Sequence, residues 1–486
     1  MRKWILLGTF LVLLWWRWQV ALSRFFDVDE FSYLHWTANL VKGDKPYTDF
    51  FLIFTPGFLW AFAPIVKAYW MSAGVFVASR VAAFFIFLGI LGCLGVLFGK
   101  TRGWKWALLP MIILAFLPMP YDKFLEVRPD NLATLLALIG VIGEIWAIRE
   151  GKRSRWFVSG VFYSLSLLVF IKTLPFVVVG VGIAWFMNHK KEFFVGLGVP
   201  FMLFFFWLLM SQNLGVAWYS FAKLPFETTL ISKTDIMEPH LFFFPNASFY
   251  GPPAGGGGLT SGLLANHALW IMGILMGVFR LFTPYLTGEV ASSATHRRGG
   301  KKMLVEVLLA GTFIVLVYGY VQFFPLKHSQ YLIPIAIFVA FYAADALRIF
   351  FDRIKWALLV FGLFIIIVNA QVNAPKLSMN NAVQIAQMEK LLAIVPRDAR
   401  VLDLEGRMLF WPDAYYICCV SFGSFTQFMS RKPPALSEEL EKDKVPYIFQ
   451  GDSNRLPYLS PPDRTFIQTH YDPVPGWGEA LLQWEK

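Results

Sequence analysis

Three carboxylates, Asp27, Asp29 and Glu30, stand together in DVDEFSY, a few residues past the first long apolar run of the chain. A charge at the edge of a bilayer is costly, so acids gathered there are read first as functional. A carboxylate in such a place can take a proton from an attacking hydroxyl, and the D-x-D spacing of Asp27 and Asp29 can also hold a divalent cation. The competing reading is local, because Asp is a common helix N-cap and acids favour the first helical turn. If FSYLHWTANL is helical, Asp29 and Tyr33 are four apart and Glu30 and Tyr33 three apart, so one face gathers them. His35 and Trp36 fall on other faces, as packing or interfacial residues.

The stretch KGDKPYTDF continues the same loop and adds Lys45, Tyr47 and Asp49 as substrate contacts. Further along, LEVRPDN carries Arg128 and Asp130 on either side of a proline that disfavours helix at the residue before it, so a turn is expected. The local alternative is an N-cap by Asp130 beside an interfacial arginine. Lys327, His328 and Tyr331 precede a late apolar run in PLKHSQYLIP, and Lys172 lies between two others. Acids and cations at one mouth of a helical bundle suit transfer of a sugar from a lipid phosphate. That reaction needs a base for the acceptor hydroxyl and cations for the departing phosphate. A carboxylate supplies the first, and Arg128, Lys327, His328 or Lys172 the second.

The elements that position these residues are membrane helices. Hydrophobic residues make up 57% of the 486 and charged ones 15%, far below the quarter or so of a soluble domain. The run from Trp4 to Ala21 follows Arg2 and Lys3 without a small-residue cleavage site and predicts an uncleaved signal anchor. Ten further apolar stretches, at about 74–98, 105–120, 130–148, 156–171, 174–188, 192–210, 263–285, 303–324, 329–348 and 355–372, bring the expected spans to eleven. With that number, the basic loops around Lys100, Arg149, Lys190, Arg297 and Arg353 all fall on the side of Arg2, the cytoplasmic side by the positive-inside rule. Lys327 and Lys172 then stand on the opposite side, where cations run against the trend and either meet an anion or snorkel.

Pro56 to Trp70 is apolar as well, but a full crossing there would invert every later loop. It is expected as a juxtamembrane or re-entrant helix, with a transbilayer helix as the alternative. Residues 23–73 and 211–262 become outer loops of a module spanning 1–372, the second with the flexible run GPPAGGGG and the sequon-like Asn246-Ala-Ser248. Residues 373–486 change character. A helix to Ile394 and short strands in RVLDLEG and VPYIFQG predict a small α/β domain on the outer surface. Three cysteines make no disulfide framework, and Cys418 and Cys419 are expected as two buried thiols rather than a vicinal bridge. The net charge of +11 sits largely in the basic loops, which points to anionic lipid headgroups as partners and not to nucleic acid.

Four features in this order resemble the GT-C superfamily of polytopic glycosyltransferases: DVDEFSY after the first span; Gly43, Tyr47, Asp49 and Phe50 leading to Thr55-Pro56-Gly57; the RPD turn; and KHSQYLIP before a late span. The likeness is to the branch of protein O-mannosyltransferases, aminoarabinose transferases and lipopolysaccharide-core galacturonosyltransferases. The resemblance implies a polyprenyl-phosphate sugar as donor, an envelope glycan, lipid or protein as acceptor on the outer face of a bacterial inner membrane, and an inverting displacement. It implies that Asp29 is the catalytic aspartate, with Glu30 orienting the acceptor or the base, and leaves Asp27 as an alternative base or a metal ligand. No cofactor is required by these residues, and a divalent cation remains an option. A flippase of lipid-linked sugars and a surface-polysaccharide polymerase or ligase are the alternatives.

Overall fold

Inside a bilayer the backbone has no water to bond with, so an apolar chain crosses it as helices whose hydrogen bonds are internal. The computed structural model describes residues 2–187, 189–211, 214–227, 257–286, 296–323, 328–419, 426, 429–451 and 455–485, and each of the eleven apolar stretches is helical in it. In chain order, with two short helices after the first, these are α1 (Arg2–Ser23), α2 (Val28–Lys42), α3 (Gly57–Ala68), α4 (Gly74–Arg102), α5 (Leu108–Phe116), α6 (Pro129–Glu150), α7 (Arg153–Val169), α8 (Leu174–Phe186), α9 (Lys190–Ser211), α10 (Gly257–Leu286), α11 (His296–Phe323), α12 (Ile333–Arg353) and α13 (Ala357–Asn373). Eight of them, α1, α4, α6 and α9 to α13, are long and apolar enough to cross a membrane among the described residues, and α5, α7 and α8 are shorter. The protein is a multi-pass membrane protein. The run GPPAGGGG as far as residue 256, and Asn246 to Ser248, lie outside the described residues.

α3 has 12 residues, about 18 Å of helix against a hydrocarbon core of about 30 Å, and like the 9-residue α5 and the 13-residue α8 it is shorter than a full span. It packs on α2 and on the end of α7. A side chain at Gly57 would come within 2.4 Å of Leu168 O, so the contact with α7 is backbone to backbone. α7 and α9 meet in the same manner, with Gly160 against Phe193 O and Gly196 against Phe157 O. Small residues at such contacts let membrane helices approach closely.

The two ends of the bundle differ in charge. At one end Arg2 and Lys105 meet Asp352, Arg149 donates to Lys100 O, Lys301 donates to Arg149 O, and Arg102, Arg280 and Arg348 converge on buried Asp345. Basic loops far apart in sequence thus share one end, as the loop parity requires. The acids of DVDEFSY stand at the other.

Beyond α13 the chain adds α14 (Ala382–Ile394), β1 (Val401–Asp403), α15 (Leu436–Asp443), β2 (Tyr447–Phe449), α16 (Pro461–His470), β3 (Tyr471–Pro473) and β4 (Leu481–Trp484). The strands form one sheet in the order β1-β2-β4-β3, with β1 and β2 parallel and the other pairs antiparallel. β1 and β2 lie within RVLDLEG and VPYIFQG. Leu402, Ile448, Leu482, Leu440 and Ile467 close the core of this unit.

The unit is seated on α2. His35 Nδ1 lies 3.2 Å from Asp403 and Nε2 2.7 Å from Asp413, while Asn39 donates to Asp413 and Lys42 to Trp411 O. Burial pushes the imidazole of His35 toward its neutral form, but Asp413 and Asp403 outweigh it and raise the pKa to about 9. Cys418 and Cys419, expected as separate thiols, are joined in a vicinal disulfide packed beneath α2.

Candidate active site

Where α1 ends, the chain turns through Phe25 and Phe26 into α2, whose N-cap is Asp27 in extended backbone. Asp27 Oδ1 accepts from Asp29 N at 3.0 Å and Glu30 Oε2 accepts from Asp27 N at 2.9 Å, a reciprocal capping box. The local reading of DVDEFSY therefore holds for two of its acids. Glu30 is fully buried, is paired through both oxygens with Arg80 of α4, and accepts from Val127 N at 2.8 Å. Arg80 also donates to Ala21 O and Phe25 O, so this one ion pair ties α1, α2, α4 and the loop before α6 together.

That loop brings the cations. Lys123 reaches Asp27 at 3.0 Å and Glu126 at 2.9 Å, and Arg24 bridges Asp122 and Glu126. Arg128 occupies the N-cap position of α6, with Pro129 as its first residue, so the RPD turn starts the helix and Asp130 stands in its first turn instead of capping it. The Arg128 guanidinium, almost wholly buried, meets Asp29 at 2.8 Å, Glu126 at 3.0 Å and Asp130 at 3.7 Å, and lies 5.8 Å from the centre of the Tyr33 ring. Lys172 pairs with Asp130 at 3.2 Å, and its ammonium is 3.7 Å from the centre of the Tyr331 ring. His328 sits edge-on to Tyr331, and Lys376 holds Asp122.

Burial works against every charge here, so what decides each group is its partners. For Asp27 burial is outweighed by Lys123 and Arg128, which hold the carboxyl well below its usual range. For Lys123 the burial penalty is overcome by Asp27 and Glu126, and for Arg128 by Asp29; both stay charged. Burial lowers His328, with the field of Asp29 opposing, so this imidazole is neutral. Tyr33 is pushed far above its ordinary value by burial and stays protonated.

Among the six acids of this cluster, Glu30, Asp122, Glu126 and Asp130 are buried and Asp27 is a cap. Asp29 has 28% of its side chain exposed, and among the described residues only its Oδ2 is held, by Arg128. An accessible carboxylate with one oxygen fixed and the other open is the arrangement a base requires.

The structure thus brings together Asp27, Asp29, Glu30, Tyr33, Arg128, Asp130, Lys172, His328 and Tyr331. Lys327 lies outside the described residues. Lys45, Tyr47 and Asp49 are a different matter. Asp49 accepts from Lys45 N and closes its own turn, while Tyr47, at φ 71° and fully buried, donates to Phe54 O and accepts from Tyr416 at its carbonyl. Among the described residues none of the three touches the acid and cation cluster; Lys45 and Asp49 close a turn that Tyr47 joins to Tyr416 of the C-terminal unit. The residues missed are Arg24, Arg80, Asp122, Lys123, Glu126 and Lys376. Arg80 and Arg24 carried a signal, a lone cation inside or at the end of an apolar run, which in a membrane protein calls for a partner.

A cation on the D-x-D pair would need both carboxylates. Asp27 has one oxygen on its cap and the other on Lys123, and Asp29 has one on Arg128, so a divalent cation there would have to share these oxygens with the two basic side chains or displace them. The other grouping of possible ligands, His35 with Cys418 and Cys419, has its sulfurs joined and both ring nitrogens facing carboxylates.

No protein-family model matches the chain, and no curated protein sequence does. Solved structures do. The oligosaccharyltransferase of Archaeoglobus fulgidus tethered to an acceptor peptide containing the NVT sequon superposes with a TM-score of 0.52 at 10% identity, over 96% of this chain and 72% of that one. ArnT from Cupriavidus metallidurans bound to undecaprenyl phosphate gives 0.49 at 14% identity, over 94% of each chain. The fold is the GT-C fold.

Proposed function

Starting from the GT-C fold, we propose that this chain is a glycosyltransferase that moves a sugar from a polyprenyl phosphate to a hydroxyl of an envelope glycan, lipid or protein. The observation that carries this reading is the state of Asp29, an accessible carboxylate at the mouth of a bundle, held by one oxygen among buried cations. Reaction takes place on the outer face of the membrane, at the end of the bundle opposite the basic loops. The acceptor hydroxyl gives its proton to the open oxygen of Asp29 as its own oxygen bonds to the anomeric carbon. The bond from that carbon to the phosphate oxygen breaks on the opposite face, and its electron pair leaves with the phosphate, so configuration inverts.

Arg128, Lys172 and Lys123 surround the place where negative charge grows and stabilise the leaving phosphate through charge-assisted hydrogen bonds. Neutral His328 offers one N–H to the same group. Glu30 and Asp27 are positioning residues. The first fixes the entry of α2 through Arg80, and the second holds its first turn and Lys123. The C-terminal unit, by its grip on α2, keeps Asp29 in register with the bundle.

Binding of the spent carrier tests this without knowledge of the sugar. Purified protein in detergent should bind polyprenyl phosphate at least about tenfold more tightly than the uncharged polyprenol, a margin of one charge-assisted hydrogen bond. Equal binding of the two would refute a phosphate site at this cluster.

A further inference from the structure

Away from the acid cluster, α4 and α6 leave a groove open on the side of the bundle. Gly89, Gly92, Cys93 and Val96 line it from α4, and Ile139, Ile142, Gly143 and Trp146 from α6, each set at the i, i+3, i+4, i+7 spacing of one helix face. Val158 and Arg155 of α7 close its end, and the cavity measures about 410 Å³. Both α4 and α6 run from the acid cluster toward the basic loops, so the groove occupies the half of the bundle nearest those loops. From Gly89 to Val96 it runs about 10 Å along α4, within one leaflet of a core about 30 Å thick.

Its chemistry is divided. The walls are apolar throughout, and glycines hold them back: a Cβ added at Gly92 would meet nothing within 4 Å. The single charged group is Arg155 at the end toward the basic loops. Its guanidinium lies 4.8 Å over the Trp146 ring, has 38% of its side chain exposed, and touches Glu150 only at 4.0 Å. A cation set on an aromatic at the mouth of an apolar slot, at headgroup depth, is complementary to an acid with a hydrocarbon tail.

We infer that this groove is a binding site for one anionic phospholipid, its acyl chain between α4 and α6 and its phosphate on Arg155 and Trp146. The site is independent of the sugar-transfer reading and stands or falls apart from it. The walls contribute the non-directional part of binding, and Arg155 supplies the preference for a headgroup with net negative charge. Such a lipid bridges α4, which carries Arg80, and α6, which carries Arg128 at its cap.

Native mass spectrometry of the full chain in detergent, equilibrated with dioleoyl phosphatidylglycerol or dioleoyl phosphatidylcholine, tests the site. One phosphatidylglycerol should be retained at least about tenfold more tightly than phosphatidylcholine, the difference one charge-assisted contact makes. Arg155→Gln should bring the two lipids level. Gly92→Leu should remove the retained lipid of either kind, because its side chain fills the slot, and leucine favours the helix where glycine does not. Thermal unfolding without added lipid checks that each variant is folded. Equal retention of the two lipids by the unaltered protein would overturn the inference, as would phosphatidylglycerol binding that survives Gly92→Leu.

Discussion

Two neighbouring acids of α2, Asp29 and Glu30, should respond to the same substitution in opposite ways. Glu30 is buried with Arg80 on both oxygens and two backbone N–H groups besides. Glu30→Gln keeps the shape but leaves the guanidinium without its countercharge, and breaking a buried pair from one side costs about 3–5 kcal/mol. Asp29→Asn removes the largest charge facing buried Arg128, but Glu126 and Asp130 stay beside that guanidinium and the carboxylate is itself partly exposed, so the cost should be that of one charge-assisted hydrogen bond, about 1.5–3 kcal/mol, below the Glu30 pair. As a general base, however, Asp29 is worth about 10²–10⁴ in rate. Thermal unfolding of the two purified variants, with turnover of a radiolabelled polyprenyl-phosphate sugar measured per folded molecule, separates the roles. Asp29→Asn should lose less stability than Glu30→Gln and at least about a hundredfold in turnover per folded molecule, while Glu30→Gln should unfold earliest and turn over substrate when folded. Full turnover in Asp29→Asn, or an inactive Glu30→Gln of unchanged stability, would refute the assignment.

Other consequences can be measured on the same preparations. His35 has its pKa raised from 6.5 to about 9, so its pairing with Asp413 and Asp403 is fully present below about pH 6.5 and is lost as pH rises through 9; by linkage this is about 3 kcal/mol. Limited proteolysis of the C-terminal unit should therefore quicken between pH 6.5 and 9, and His35→Gln should flatten that rise. Lys172→Gln should raise the KM for the lipid donor by roughly 10-fold or more and leave kcat less affected, since a charge-assisted bond of about 1.5–3 kcal/mol is lost in the bound state. Gly57→Ala drives a methyl into the backbone of Leu168 and should lower the unfolding temperature by the equivalent of about 1–3 kcal/mol. In intact cells, cysteines placed at Lys45 and Arg153 should react from opposite sides of the membrane, and labelling of both from outside would overturn the orientation.

Much of this architecture is legible in the sequence because its causes are local. Membrane helices satisfy their backbone within one segment, so each expected span from Trp4 to 372 appears as a helix. The basic loops carry their sidedness in their own residues, and the fold gathers Arg2, Lys105, Arg149 and Lys301 at one end as that rule requires. The strands at Val401 and Tyr447 were legible for the same reason, as short apolar runs between turns. The role of Tyr47 was not. Its hydroxyl and carbonyl answer to Phe54 and Tyr416, and no local pattern announces a partner 369 residues away.

The sequence by itself placed three acids at one mouth of the bundle, and it could go no further, because DVDEFSY serves equally as a helix cap and as a base. Tertiary structure divided them. Arg80 and Val127, 50 and 97 residues from Glu30, enclose that carboxylate; Lys123, 96 residues away, takes Asp27; and Asp29 keeps an oxygen open. The physical reason is that a carboxylate's chemistry depends on which charges stand within a few ångströms of it and on how much water reaches it. Both are properties of the folded bundle, and neither is written in the neighbouring residues.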